Sequence, residues 1–294
     1  MRLLAPVLFG AAMVQAKSSA PKNTVLCGQY DTHWSANQSY TFNTNEWGDD
    51  GSGAQCISVN NATTDFNATW SWSDNPTLVH SFPNIKLQSD LLPIELSNLS
   101  HLNISASWSM NPSSSSVENL DTIDAAANVV VDMFLDTDPT TANSTTLPKY
   151  EVMIWIAAYG GKKPIGFSSS IKNPPTHSLN GTIYTLYSGA NNNGQFVYSW
   201  LAPSNVTTFD RDISPLLHYL WQHKLISESN YLGVVQFGTE TFHASSNVTF
   251  SAQDFNISVA AGQPLVDSRA AGGALPNLVL LLLPLAFFFT FTCS

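Results

Sequence analysis

The chain has 294 residues, of which 44% are hydrophobic and 11% are charged, and its formal net charge is −10. A surface of this sign repels nucleic acid, and no basic patch is interleaved with aromatic residues, so we expect no nucleic-acid partner. The length suits a single domain, since all-β sandwiches reach this size without splitting.

The N-terminus has the pattern of a secretory signal peptide. Arg2 supplies a positive charge, residues 3–14 are apolar and too short to span a bilayer, and Ala16 is the small residue needed for cleavage. A buried N-terminal strand is the alternative, which so uniformly apolar a run does not favour. We therefore expect a secreted chain that begins at Lys17.

Two of the three cysteines, Cys27 and Cys56, lie in the predicted mature chain, whereas Cys293 lies near the C-terminus. An oxidising compartment lets Cys27 and Cys56 pair, and a loop of this length corresponds to ~3–4 kcal/mol of stabilisation. Two free buried thiols are the alternative.

Asn-x-Ser/Thr sequons are unusually numerous, and each indicates a surface position if it is glycosylated. Together they are typical of a eukaryotic surface or wall glycoprotein. The sequons begin at Asn37, Asn61, Asn67, Asn98, Asn103, Asn143, Asn180, Asn205, Asn247 and Asn256.

Most of the chain between the two ends alternates short β-branched and aromatic segments with turn signals, which predicts an all-β sandwich or jelly roll of two antiparallel sheets. Residues 109–116 and 136–148 are polar and predict loops, and Asn191–Gly194 predicts a tight hairpin turn. The predicted strands are 68–73, 102–108, 128–135, 150–157, 182–187, 195–201 and 248–259.

One segment breaks the strand pattern and predicts a single amphipathic helix from about Ser214 to Ser227. Ser214 is a suitable N-cap, and Pro215 suits the first helical position. Apolar residues recur at i, i+3, i+4 and i+7, on one helical face. These residues are Ile213, Leu216, Leu217 and Leu220.

The C-terminus has the order of a signal for a glycosylphosphatidylinositol (GPI) anchor. Residues 278–293 are almost wholly apolar with no basic residue after them, and small residues lie upstream, where we expect the attachment site at Ser268, with 271–273 as alternatives. A tail-anchored helix is the alternative. The predicted segments are a signal peptide at 1–16, an N-terminal segment at 17–25, one folded domain at 26–260, a linker at 261–277 and a hydrophobic tail at 278–294.

Two glutamates lie in aromatic-rich segments that both predict strands, Glu151 in 150–155 and Glu240 in 236–242. A strand interior is a costly place for a carboxylate. By strand alternation Glu151 shares one face with Met153 and Trp155, a combination suited to a groove that receives a sugar ring. Paired carboxylates are the groups that glycosidic-bond cleavage requires, whereas a structural carboxylate at a strand edge is the alternative.

Three further residues join this predicted groove. Gln236 and Phe242 share the face of Glu240, with Gly238 between them leaving room for close approach. Asp132, in an otherwise apolar strand, could share a proton with Glu151 if the two were adjacent.

The sequence lacks the residue patterns that indicate other kinds of active site. The histidines show no metal-ligand spacing, and Gly166–Ser170 lacks the last glycine of a nucleophile elbow. The glycine-rich segment 48–53 is followed by neither a Lys-Ser/Thr pair nor a helical pattern, so it predicts a turn and not a phosphate site.

Several motifs in chain order resemble glycoside hydrolase family 12 over about residues 26–259. Asn45-Glu46-Trp47-Gly48 resembles the segment with a substrate-stacking tryptophan, and 70–72 resembles the family's Trp-x-Trp strand. Residues 150–155 resemble the nucleophile motif, and 236–240 the acid/base motif. Thr241, Tyr30 and a longer loop at 112–120 depart from the family pattern.

The resemblance implies a β-jelly-roll, retaining endo-β-1,4-glucanase that requires no metal or organic cofactor. Glu151 would be the nucleophile, Glu240 the acid/base and Asp132 the supporting aspartate. Cys27 and Cys56 match the family's disulfide. The implied substrate-binding residues are Trp47, Trp155, Met153, Tyr30, Gln236 and Phe242.

The implied substrate is a soluble or amorphous β-1,4-glucan, and we expect a monomer held to the cell surface or wall only by its anchor. Xyloglucan specificity, transglycosylation during wall remodelling and glycan binding with weak catalysis are the alternatives.

Overall fold

The computed structural model describes residues 23–264. The predicted signal peptide and C-terminal tail lie outside the described residues. Regular structure consists almost wholly of strands: β1 Asn23–Leu26, β2 Thr32–Trp34, β3 Tyr40–Asn43, β4 Gly53–Asn60, β5 Phe66–Trp72, β6 Asn84–Leu87, β7 Ile94–Glu95, β8 Leu99–Pro112, β9 Ala126–Asp136, β10 Tyr150–Ala158, β11 Thr176–Leu179, β12 Thr182–Ala190, β13 Phe196–Leu201, β14 Thr208–Asp212, β15 Tyr231–Gly238 and β16 Thr241–Ala261. The α-helices are α1 Pro139–Ala142 and α2 Ser214–Gln222, and single 3₁₀ turns span Leu96–Asn98 and Leu120–Ile123.

The strands form two sheets, and this architecture confirms the predicted all-β jelly roll. We name them the back sheet, in the order β1-β4-β5-β16-β8-β14, and the front sheet, in the order β2-β3-β6-β15-β9-β10-β13-β12-β11, with β7 on one end of β15. Strand β16 joins the two, because its first residues pair with β9 while the rest pairs with β5 and β8.

The predicted antiparallel sheets contain one exception, since β10 and β13 run parallel. After β10 the chain crosses to the edge of the front sheet and lays β11, β12 and β13 inward from there as an antiparallel series. The third strand of such a series, β13, runs in the direction of the first, β11. Because β11 runs in the same direction as β10, β13 meets β10 in parallel.

The core lies between the sheets and is filled by alternate residues of each strand. Val152, Ile154 and Ile156 of β10 are fully buried in it, so their neighbours on the same strand face the other side of the front sheet. Aromatic rings from both sheets meet there: Phe237 stacks on Phe255 with ring centroids 5.3 Å apart. The front sheet is therefore held rigidly from behind, which fixes the groups on its outer face.

Helix α2 buries the predicted face, but its ends differ from the prediction. All four predicted apolar residues are fully buried. Ser214 is the first helical residue and Ile213 the N-cap, while Ser214 Oγ donates to Ser100 O at 3.2 Å. The helix ends at Gln222 and not Ser227, because Lys224 adopts the left-handed conformation at φ 57°.

Of the predicted connections, the Asn191–Gly194 turn is confirmed, with Gly194 N donating to Asn191 O at 3.1 Å. The predicted loop at 109–116 is wrong in its first half. Strand β8 continues to Pro112, because β16 is long enough to pair with it there and Met110 is buried. The 136–148 connection is a loop apart from α1.

The predicted disulfide is present, with Cys27 and Cys56 bonded across a sequence separation of 29. It ties the segment before β2 to β4 of the back sheet. In residues 23–264 no helix is both long and apolar enough to cross a membrane.

Replacing Cys27 and Cys56 by serine should lower the free energy of unfolding by about 3–4 kcal/mol, because the unfolded chain regains the entropy of the opened loop. Urea unfolding followed by tryptophan fluorescence measures this. The wild-type protein, unfolded with and without reductant, serves as the matched control. An unchanged midpoint in the double variant would contradict a stabilising role.

Candidate active site

Asp132 occupies the centre of the outer face of the front sheet. It lies directly opposite Met153 of β10 on one side and Gln236 of β15 on the other. Residues opposite one another in adjacent strands point to the same face, so all three side chains share it. Each is about 5% exposed, so this is a nearly dry patch of sheet that contains a carboxyl group.

Glu151 lies diagonally next to Asp132, since its partner on β9 is Phe134, two residues along. Its carboxyl is partly buried and accepts a hydrogen bond from Asn191 Nδ2 at 2.8 Å. Asn191 is itself held by the β12–β13 hairpin, where its Nδ2 also donates to Gln195 Oε1 at 2.8 Å. A turn at the neighbouring strands thus fixes the Glu151 carboxyl.

Glu240 does not lie in a strand as the sequence predicts, but in a break between β15 and β16. The pairing nevertheless continues in register through the break, since Thr239 N donates to Pro83 O and Asn128 N donates to Glu240 O, so the expected alternation from Gln236 to Phe242 is kept. Asn128 anchors the break. Its Nδ2 donates to Glu240 Oε2, and Glu240 N donates to Asn128 Oδ1 at 2.8 Å.

All three carboxyl groups have raised pKa values. Burial, followed by the charge of Glu151, raises the pKa of Glu240 to about 8. Burial raises the pKa of Glu151 to about 7 against hydrogen bonds from Asn191 and Asp132 that lower it. Burial and the two glutamate charges raise the pKa of Asp132 well above its usual range. The cluster therefore keeps protons that isolated carboxyls lose.

The interaction between the carboxyls of Asp132 and Glu151 favours a proton on Asp132. It raises the pKa of Asp132 and lowers that of Glu151. Asp132 Oδ1 is buried and meets no amide or hydroxyl donor in the described part of the chain. Of the two groups, Glu151 is therefore the one whose ionised form is better supported.

The predicted substrate-binding aromatics divide into exposed and buried groups. Trp47 is 50% and Tyr30 64% exposed, so both offer free ring surface. Trp155 is 3% exposed and lies with Met153 in a small apolar cluster beneath the carboxyls. Phe242 is mostly buried, and Lys162 Nζ lies 4.3 Å from its ring centroid.

Sequence reasoning missed Asn128 and Asn191, which hold the two glutamates. Asn128 is four residues from Asp132 on β9, so strand alternation places both on one face and could have revealed it. Asn191 reads as a turn residue, and only the pairing of β10 with β13 brings it to Glu151. Within residues 23–264, no cluster of three or more potential ligands is arranged to hold a metal ion.

A jelly roll with two glutamates of raised pKa on the open face of one sheet defines a glycoside hydrolase. Residues 38–260 match the profile of glycosyl hydrolase family 12. The chain belongs to this family, as its motifs indicate.

Individual relatives and solved structures support this family membership. Xyloglucan-specific endo-β-1,4-glucanase A of Emericella nidulans is 34% identical over 264 residues, which cover 88% of this chain and all of that one. The crystal structure of Trichoderma harzianum endoglucanase 3 has a TM-score of 0.68 at 31% identity, covering 83% of this chain and 100% of that one. The catalytic domain of Humicola grisea Cel12A, with a soaked thio-cellotetraose, has a TM-score of 0.67 at 32% identity and covers 80% of this chain and 99% of that one.

Stability should fall as the pH rises from about 4 to 8, because unfolded glutamates lose their protons near pH 4.3 whereas Glu240 keeps its proton to about 8. A raised folded pKa contributes its stability at low pH and loses it as the pH passes the folded value. The Glu240→Gln variant should show a smaller fall in Tm over this range.

Differential scanning fluorimetry across this pH range measures the change. Glu118→Gln, at an exposed position, is the matched control and should follow the wild type. Parallel Tm curves for wild type and Glu240→Gln would contradict the raised pKa.

Replacing Asn191 by alanine removes a donor that favours ionised Glu151, so its pKa should rise. The acidic limb of kcat/KM should move to higher pH by about one pH unit, the size expected for one hydrogen bond to a charged group. The neighbouring Asn193→Ala, which leaves that bond intact, is the control. An unmoved limb in the Asn191 variant would contradict this role.

Proposed function

We propose that this protein is a retaining endo-β-1,4-glucan hydrolase that cleaves soluble or amorphous β-glucans by double displacement. The observation that carries the proposal is the pair Glu151 and Glu240, held from separate elements on one sheet face with raised pKa values. The membership of family 12 supports the same reaction class.

In the first step the Glu151 carboxylate attacks the anomeric carbon, a bond forms from its oxygen to that carbon, and the glycosidic carbon–oxygen bond breaks. Glu240 gives its proton to the departing oxygen. In the second step Glu240 takes a proton from water as that water attacks the same carbon, and Glu151 leaves as a carboxylate. Two inversions retain the configuration, which requires carboxyls roughly 5–5.5 Å apart.

The pKa order supports this division of roles. The two glutamates repel each other, so the first proton to leave comes from the group whose charged form is better supported. Glu151 has two donors, Asn191 and Asp132, and the lower pKa, whereas Glu240 has the higher one. Glu151 is thus the ionised nucleophile while Glu240 still carries the proton that it must donate.

Asp132 acts through Glu151. As a neutral group it donates to the nucleophile. It adds no second negative charge to a face that must accept the oxygen-rich sugar chain. Trp47 and Tyr30, with their exposed rings, would support sugar rings at the rim of the groove. Met153, Trp155, Gln236 and Phe242 would form its floor and wall.

Two candidate functions differ in the β-glucan that the enzyme prefers. A xyloglucan-specific endo-β-1,4-glucanase is the second candidate, because several similar fungal proteins, among them one from Aspergillus aculeatus that is 31% identical, carry that name. Product analysis on carboxymethyl cellulose, barley glucan and xyloglucan side by side separates the two. Labelled acceptor oligosaccharides in the same reactions would detect transglycosylation.

We also infer an extracellular monomer held by a GPI anchor, since the disulfide suits an oxidising compartment and the sequons suit secretion. Release of the full-length protein from cells by a phosphatidylinositol-specific phospholipase tests the anchor. Retention on the membrane after treatment would contradict it.

Replacing Glu151 by glutamine should abolish turnover of β-glucan with the Tm maintained, because an amide cannot form the glycosyl-enzyme. Reducing-sugar release and thermal unfolding measure the two properties. A variant as active as the wild type would contradict the nucleophile role.

Replacing Glu240 by alanine should lower kcat/KM about 10²–10⁴-fold on glucan, the usual contribution of a general acid. The loss in kcat/KM should be much smaller on an aryl glycoside whose leaving group needs no proton, and azide should restore turnover of that substrate as a β-glycosyl azide. Equal losses on both substrates would contradict the acid/base role.

A further inference from the structure

One row of opposed residues crosses the front sheet through Asp132. From Asp132 it passes to Gln236 on β15, to Lys86 on β6, to Thr41 on β3 and to Trp34 on β2, the edge strand. Opposed residues share a face, so Trp34 points to the same side of the sheet as the catalytic carboxyls. Four strand spacings of ~4.8 Å place it about 19 Å from Asp132 along the sheet.

The burial along β2 and β3 agrees with this orientation. Tyr40 and Phe42 of β3 are buried in the core between the sheets, so Thr41 faces outward, and Trp34 is its partner. Trp34 is 51% exposed, as much as Trp47. An indole left half in water at the end of a substrate face, on a short edge strand, contributes little to the core and is available to a ligand.

The sheet between Trp34 and the carboxyls is lined with polar groups. Asn84 Oδ1 accepts from Asn43 Nδ2 at 3.0 Å and from Gln236 Nε2 at 3.3 Å, and Gln88 Nε2 donates to Thr41 Oγ1 at 3.1 Å. Lys86 lies partly buried among them. Amides, a hydroxyl and an amine suit the equatorial hydroxyls of a glycan chain, whereas the indole suits the apolar face of a pyranose ring.

The row also continues on the other side of Asp132, through Met153 and Ser199 to Tyr187. The Tyr187 ring packs on Phe167 with centroids 5.1 Å apart, and Phe167 is partly exposed. The same line of the sheet therefore has aromatic rings at both ends and the carboxyls between them, which is the arrangement expected of a groove for an extended chain.

We propose that Trp34 is a distal sugar-binding platform, which extends the substrate groove to the edge strand β2 and gives the enzyme a preference for longer β-glucan chains. This rests on the proposed function, since it takes the occupant of the groove to be a β-glucan. One glycosyl unit of the chain, remote from the bond that is cleaved, stacks on the indole and adds binding that short substrates cannot use.

The test is the dependence of kcat/KM on chain length, from cellotriose to celloheptaose, for Trp34→Ala, Trp34→Phe and the wild type. Asn37 begins a sequon in the same β2–β3 hairpin, so all proteins are first treated with an endoglycosidase. Leu147→Ala, at another exposed apolar residue, is the matched control.

Trp34→Ala should match the wild type on the shortest substrates and lose about three- to tenfold in kcat/KM on the longest, through KM, the size of one aromatic contact. Trp34→Phe should recover part of the loss, and Leu147→Ala should show none. Equal activity of Trp34→Ala and wild type at every length would overturn the proposal, as would a uniform loss with a lowered Tm, which indicates a structural role. A wild type inactive on every glucan would instead overturn the proposed function.

Discussion

Burial of three carboxyl groups on one face of a β-sheet is the constraint on which the site depends. Removing a carboxylate from water is costly, and the cluster limits that cost by retaining protons and by accepting amide hydrogen bonds. Asn191 serves Glu151 and Asn128 serves Glu240, so each glutamate is held from a different element. Desolvation raises the pKa values of both glutamates, and the different hydrogen bonds and charges around them separate the two values.

The core between the two sheets holds the carboxyl groups of the front sheet in place. Alternate residues of β9, β10 and β15 fill the core, so Asp132 and Glu151 have strand neighbours that pack in or against it. The crossover that brings β13 beside β10 in parallel also brings the β12–β13 turn, and therefore Asn191, to Glu151. The parallel pairing of β10 with β13 thus links the topology of the fold to the chemistry of the site.

Features with a local cause could be predicted from the sequence. The alternation of Glu151, Met153 and Trp155 against three apolar neighbours follows from strand geometry, and the buried face of α2 follows from helical spacing. The contacts that hold Glu240 could not be predicted, because they come from Asn128, which is distant in sequence. The position of Trp34 could not be predicted either, because a three-residue strand is too short to show a periodic pattern. Only the pairing register of five strands aligns Trp34 with Asp132.

Strand β16 has a consequence for how the enzyme loses activity. It spans 21 residues, pairs along most of its length with β5 and β8 of the back sheet, and pairs at its start with β9, directly after Glu240. Glu240 is thus covalently continuous with β16, which belongs mostly to the opposite layer. Partial opening of the back sheet would pull on the break that holds Glu240, so the catalytic geometry and the global fold belong to one cooperative unit. We therefore expect the geometry around Glu240 to be lost together with the back sheet on unfolding.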